Sequence, residues 1–131
     1  MTIKVFSMIF ISVIYLFVAW VHHQTAHDNW QVAHGTKAND EMSDETFATL
    51  KRRALRLYYL SRIAAAAAIC LTISYNTWVI VGLSFWLAGI VSAMSLIVFL
   101  VCSVLFGRTK PVTWSSSISY TGTTYYVFAD R

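Results

Sequence analysis

VIVGLSFWLAGIVSAMSLIVFLVCSVLF, residues 79–106, decides the fold class, because no charged residue occurs anywhere in it. A helix crosses a bilayer with about 20 apolar residues, and this run is longer than that. The whole chain agrees. Of its 131 residues, 57% are hydrophobic and 12% are charged, where soluble domains carry about 25% charged. A soluble particle of this size could not hide so much apolar surface. The reading is an all-α integral membrane protein with three transmembrane helices, a single span plus a tight helical hairpin, and a short C-terminal β-hairpin-like tail.

On the N-terminal side of the run, Ser74-Tyr75-Asn76-Thr77 reads as the whole connection to the preceding span. So short a link forces an antiparallel helical hairpin. At 1.5 Å per residue, residues 79–106 extend about 42 Å against a hydrocarbon core of about 30 Å, so tilting or a kink near Gly82 or Gly89 is expected. The preceding span is 57–73. Tyr58 and Tyr59 sit at its start like an interfacial belt, behind Lys51, Arg52, Arg53 and Arg56. Arg62 lies about a turn and a half inside and is expected to snorkel outward. Arg52, Arg53, Arg56 and Arg62 are the residues expected at lipid headgroups, so membrane lipid is an expected partner.

Residues 3–21 form the first apolar run, interrupted only by Lys4, Ser7 and Ser12. One lysine and no small-x-small cleavage pattern argue for a membrane helix over a signal peptide. The chain divides into a first transmembrane helix (1–21), a polar cytoplasmic loop and helix start (22–54), the helical hairpin (55–107) and a cytoplasmic strand-like tail (108–131). Within the polar segment Ser43 is an N-cap, with Asp44 and Glu45 in the first turn where the helix dipole favours anions. Lys37, Lys51, Arg52, Arg53, Arg56 and Arg62 lie within 22–62, and Arg108 and Lys110 follow the third span, whereas the N-terminus has only Lys4 and the hairpin link has none. That distribution predicts a multi-pass protein with the N-terminus out and the C-terminus in, in a bacterial inner membrane or a viral or organellar membrane. The net charge of +4 is thus a topology signal, and no nucleic-acid partner is expected.

Beyond Pro111 the period changes. Val112, Trp114, Ser116, Ile118 and Tyr120 alternate with small polar residues, Thr121-Gly122-Thr123 signals a turn, and Tyr125-Tyr126-Val127-Phe128 favours strand. An isolated two-stranded hairpin is marginal in water. Trp114, Ile118, Tyr120, Tyr126 and Phe128 are therefore expected to bind other protein subunits, by strand addition.

Chemistry-bearing clusters are few. On a helix continuing past residue 21, His23, His27 and His34 would lie at about 0°, 40° and 20° around the axis, one face that could hold a metal ion. Haem would need facing histidines inside the bilayer, and the second and third spans have none. Cys70 and Cys102 fall toward opposite ends of antiparallel helices, too far apart for a disulfide. No nucleophile–base pair or phosphate loop is present, and no acid lies within a span. The chain reads as no enzyme, with no cofactor and no small-molecule substrate. Small residues Ala64, Ala68, Gly82, Gly89 and Ala93 provide close-packing faces.

These features support a non-catalytic structural or accessory transmembrane subunit that anchors or braces a larger assembly through its polar loop and tail. A homo-oligomeric pore is the alternative, with Ser84, Ser92, Ser95 and Ser103 forming a broad polar sector. A metal- or redox-active subunit would rest on the histidines alone.

Overall fold

A computed structural model of the chain describes residues 2–38, 41–82 and 85–128. Ser84 lies outside the described residues. The order of elements is α1 (Ile3–Ala33), β1 (Thr36–Lys37), α2 (Asp44–Val81), α3 (Trp86–Arg108), β2 (Trp114–Ser119) and β3 (Gly122–Val127). All three helices are long and apolar enough to cross a membrane. The molecule is mostly helical, with one small sheet.

Two boundaries differ from the hydropathy reading. The link between the second and third helices is not Ser74-Tyr75-Asn76-Thr77, which is helical throughout; α2 ends at Val81 and is capped by Gly82. Polar side chains survive inside that helix because they find local or neighbouring partners. Ser74 Oγ donates to the Cys70 carbonyl and Thr77 Oγ1 to the Ile73 carbonyl, 2.7 and 2.8 Å away. Tyr75 and Asn76 donate across to Ser7 and Ser12 of α1, at 3.2 and 2.9 Å. Gly82 has φ of 121°, a conformation that costs a residue with Cβ dearly, so the helix stops there. The second difference is α1, which continues to Ala33 and does not end near residue 21.

The helices form one bundle in which α2 runs antiparallel to both others. Along α1, Ser7, Ser12, His23 and Trp30 meet Tyr75, Asn76, Arg62 and Tyr58 in turn. On the other side Ser92 of α3 donates to Ser74 at 2.9 Å, and Gly89 sits so close to the Trp78 indole that a Cβ would be 3.1 Å from it. Tyr15 and His22 of α1 pack edge-on against Phe99 and Phe106 of α3, closing the third side.

The α1–α2 seam is built from small residues seven apart. Ala19, Ala26 and Ala33 are buried on α1, facing the buried Ala54, Ser61 and Ala68 of α2. A seven-residue spacing keeps one stripe facing a partner along a gently supercoiled pair, and small side chains let the backbones approach. Ser61 is fully buried there and its hydroxyl has no partner among the described residues. Enlarging it should overpack the seam: Ser61→Leu is expected to destabilise the bundle by about 1–3 kcal/mol, while Ser61→Ala, which removes an unsatisfied hydroxyl, should be neutral or stabilising. Thermal unfolding of the two variants in detergent, followed by circular dichroism, reads the difference. An S61L protein as stable as wild type would mean that the seam is loose.

Candidate functional site

The polar ends of the helices meet at one end of the bundle, where α1 finishes, α2 begins and α3 finishes. At about 1.5 Å per residue α1 is about 46 Å long and α2 about 57 Å, against about 35 Å for α3. The excess length of α1 and α2 supports a small domain beyond the end of α3. Its sheet has the order β1-β3-β2. β2 and β3 form the antiparallel hairpin, with Gly122 at φ 121° closing the Tyr120-Thr121 turn. β1, from the connection between α1 and α2, adds to β3 in parallel, pairing Thr36 with Tyr126 and Lys37 with Val127. The hairpin expected from alternation is thus completed by a third strand within the same chain.

The sheet is fastened by burial. Val127 is fully buried among Val32 and Ala33 of α1, Met42, Leu50 and Ala54 of α2 and its approach, and Val112 ahead of β2. Lys37 and Lys51 lie over opposite reaches of the Phe47 ring, at 5.8 and 4.8 Å. Lys37 also bonds to Asp44 at the polar end of α2, and this hydrogen bond and charge hold the Asp44 carboxyl below its ordinary range.

Of the tail residues expected to bind partners, Ile118 and Tyr120 stand almost fully in the open. Trp114 packs on Tyr125 across the hairpin while remaining partly exposed, Phe128 is exposed, and Tyr126 is half-buried. Every residue of β2 is exposed, and β2 is the outer strand of the sheet.

The four arginines expected at headgroups separate into two sites. Arg62 turns toward α1, where its Nη1 donates to His23 Nδ1 at 3.1 Å and its guanidinium lies over the Tyr58 ring. Arg52, Arg53 and Arg56 turn toward α3. With Thr49 they face Leu105, Arg108, Thr109 and Lys110 across a cleft of about 520 Å³. Arg108 and Lys110 were counted in sequence only for orientation; their place opposite the α2 arginines is a long-range pairing that no local pattern encodes.

The three histidines share a face of α1, yet they do not converge. Eleven residues of helix put His23 and His34 about 16 Å apart along the axis. His23 Nδ1 accepts from Arg62, so its proton sits on Nε2. His34 Nδ1 donates to the Trp30 carbonyl at 2.8 Å. Among the described residues no three His, Cys, Asp or Glu side chains are grouped to hold a metal ion. Cys70 is exposed and Cys102 buried, and both are free thiols.

The packing residues also differ in role. Ala64 and Ala68 are buried in the bundle and Gly89 lies under Trp78, whereas Ala93 is exposed and Gly82 acts as the α2 terminator. No family model, curated protein or solved structure matches this chain.

Gly35 controls the attachment of the sheet. A Cβ there would lie 2.7 Å from the backbone oxygen of Tyr125 and 3.2 Å from that of Val32. Gly35→Ala is expected to push β3 off the end of α1 and cost about 1–3 kcal/mol. Limited proteolysis should then cut within residues 109–128 faster than in wild type, while the helical circular dichroism is retained. Unchanged protection would show that β3 can shift without loss.

Proposed function

We propose that this chain is a non-catalytic multi-pass membrane subunit that braces a larger assembly, using its sheet as the docking element. The observation that carries the reading is an open strand edge held on a rigid support. Among the described residues β2 has a neighbouring strand on one side only, and the sheet is anchored through Val127 to the ends of α1 and α2. An exposed edge is a template for strand addition. The Phe128 N–H donates to the Thr113 carbonyl at 2.9 Å. By the alternation of an antiparallel ladder, the 115–126 and 117–124 pairs then exchange hydrogen bonds, and the N–H groups of Trp114, Ser116 and Ile118 point to the open side.

The membrane part of the reading is supported by surface chemistry. Phe6, Phe10, Phe17, Ile73, Trp86 and Ile97 are all exposed, among many other large apolar side chains. Soluble monomers do not carry apolar surface on that scale. The basic residues gather at the end that bears the sheet, which supports a cytoplasmic sheet, the C-terminus in and the N-terminus out. A pore is less well supported. Ser92 is buried and its hydroxyl bonds to Ser74 across to α2 and to the Ala88 carbonyl within α3, and Ser95 is buried too, so neither lines an open polar lumen.

The test is affinity purification of the full chain in mild detergent with mass spectrometry of what stays bound. Ser116→Pro removes an outward N–H while sparing the β3 ladder, and Ile118→Asp places a charge on the exposed tip. Each is expected to reduce a co-purifying subunit about tenfold, the equivalent of roughly 1.4 kcal/mol. A homo-oligomer without other subunits, unaffected by either change, would sink the accessory reading and favour the pore.

A further inference from the structure

The basic cleft does not stand alone. A second, apolar groove of about 420 Å³ lies between the same two helices, lined by Ile63, Ala66, Ala67, Cys70, Val91, Met94, Ser95 and Val98. The two hollows are in line. Around α2, Arg52, Arg56, Ile63, Ala67 and Cys70 fall within about 60° of one another; around α3, Leu105, Val98, Met94 and Val91 do the same. Along α2 the cleft takes Thr49 to Arg56 and the groove Ile63 to Cys70, with about 10 Å of helix between them. The result is a furrow in two parts along the α2–α3 face. It has a cationic head where α3 ends and an apolar trough running about 10 Å along α2 from Ile63 to Cys70.

We propose that this furrow is a binding site for an anionic glycerophospholipid, with phosphate in the cleft and an acyl chain in the trough. The head is lined by Arg52, Arg56 and Arg108, beside Arg53 and Lys110, and among the described residues no acid lines it. Arg52 and Arg56 from α2 and Arg108 from α3 bring like charges together, a repulsion that an anion between them relieves. Guanidinium forks match phosphate oxygens bidentately, and the Thr49 and Thr109 hydroxyls can share the same phosphate. The trough supplies what a free anion would not use: an apolar wall that begins about 10 Å along α2 from Arg56, within reach of an acyl chain. Basic pockets between membrane helices on the cytoplasmic side take such headgroups. Arg62, turned about 80° from Arg52 around α2 and bonded to His23, has no part in this site.

The inference rests on the membrane reading above, and the experiment separates the two. Alkaline carbonate extraction of membranes comes first. A chain released into the soluble fraction would defeat the membrane reading itself. The full chain is then delipidated in detergent and titrated with cardiolipin, phosphatidylcholine or inorganic phosphate under native mass spectrometry. Cardiolipin is expected to bind at about tenfold lower concentration than phosphatidylcholine, and the combined Arg52→Gln, Arg56→Gln and Arg108→Gln variant to lose that preference. Val98→Trp, at an exposed position in the trough, should weaken cardiolipin binding with the arginines intact. Arg62→Gln should leave it unchanged, and circular dichroism confirms that each variant folds. Equal binding of the two lipids by a carbonate-resistant protein overturns the site alone. So does inorganic phosphate that displaces cardiolipin at millimolar concentration, which would make the cleft a free-anion site. A dimer that persists without lipid and is broken by Val98→Trp would assign the trough to a second copy and overturn the proposal as well.

Discussion

The close approach of α1 and α2 is the constraint on which the rest of the structure depends. Ala26, Ala54 and Ala68 are completely enclosed, as is Ser61. None of these side chains contributes much apolar area. What they contribute is absence of bulk, which lets long stretches of two helices touch and makes many weak dispersion contacts sum. Once the stripes are matched, the relative height of the two helices is fixed along the whole seam. The Asn76–Ser12 and Tyr75–Ser7 hydrogen bonds at one end and the Trp30–Tyr58 stacking at the other are consequences of that height.

The fixed height explains why a small sheet can exist at all. Three strands, of which one has only two residues, cannot bury enough to be stable alone. Here the sheet needs no core of its own. The overhanging turns of α1 and α2 present Val32, Ala33, Leu50 and Ala54 as a ready apolar floor, and Val127 and Val112 cover it. The parallel pairing of β1 with β3 follows from the same geometry. β1 begins directly after α1, and Gly35 lets that backbone pass within contact of Tyr125. The docking edge proposed for partners is therefore only as rigid as the helix seam beneath it.

The three long apolar helices were legible because uncharged runs of that length are visible in any window. The hairpin tail was legible from strict alternation and from Gly122. Element ends were not. Hydropathy stops at His22, but α1 continues because Ala26, Val32 and Ala33 still have a helix to pack against. Ser74-Tyr75-Asn76-Thr77 has the composition of a turn, yet each of its side chains donates to a helical or cross-helix partner, so the chain has no reason to bend. The signal that could have placed the seam was present: Ser12, Ala19, Ala26 and Ala33 are spaced by seven, as are Ala54, Ser61 and Ala68. Patterns of small residues four apart drew attention to α3 instead. The third strand was not legible, since Thr36-Lys37 acquires strand geometry only from β3.

Charge shows the same division between local and long-range information. Sequence places Arg52, Arg53, Arg56 and Arg62 in one basic stretch and assigns them one role. A helix separates them by rotation: Arg62 lies about 80° from Arg52 in one direction, Arg56 about 40° from it in the other sense along the stripe, once 100° per residue is accumulated. The packing partners then decide what each cation can do. Facing α1, Arg62 meets a histidine nitrogen and an aromatic ring, neutral groups that can hold one guanidinium without a counter-ion. Facing α3, Arg52 and Arg56 meet Arg108 across the cleft, so like charges are brought together. A cluster of that kind on the same helix face as an apolar groove suits an anion that carries hydrocarbon, which is the chemistry the proposed lipid supplies.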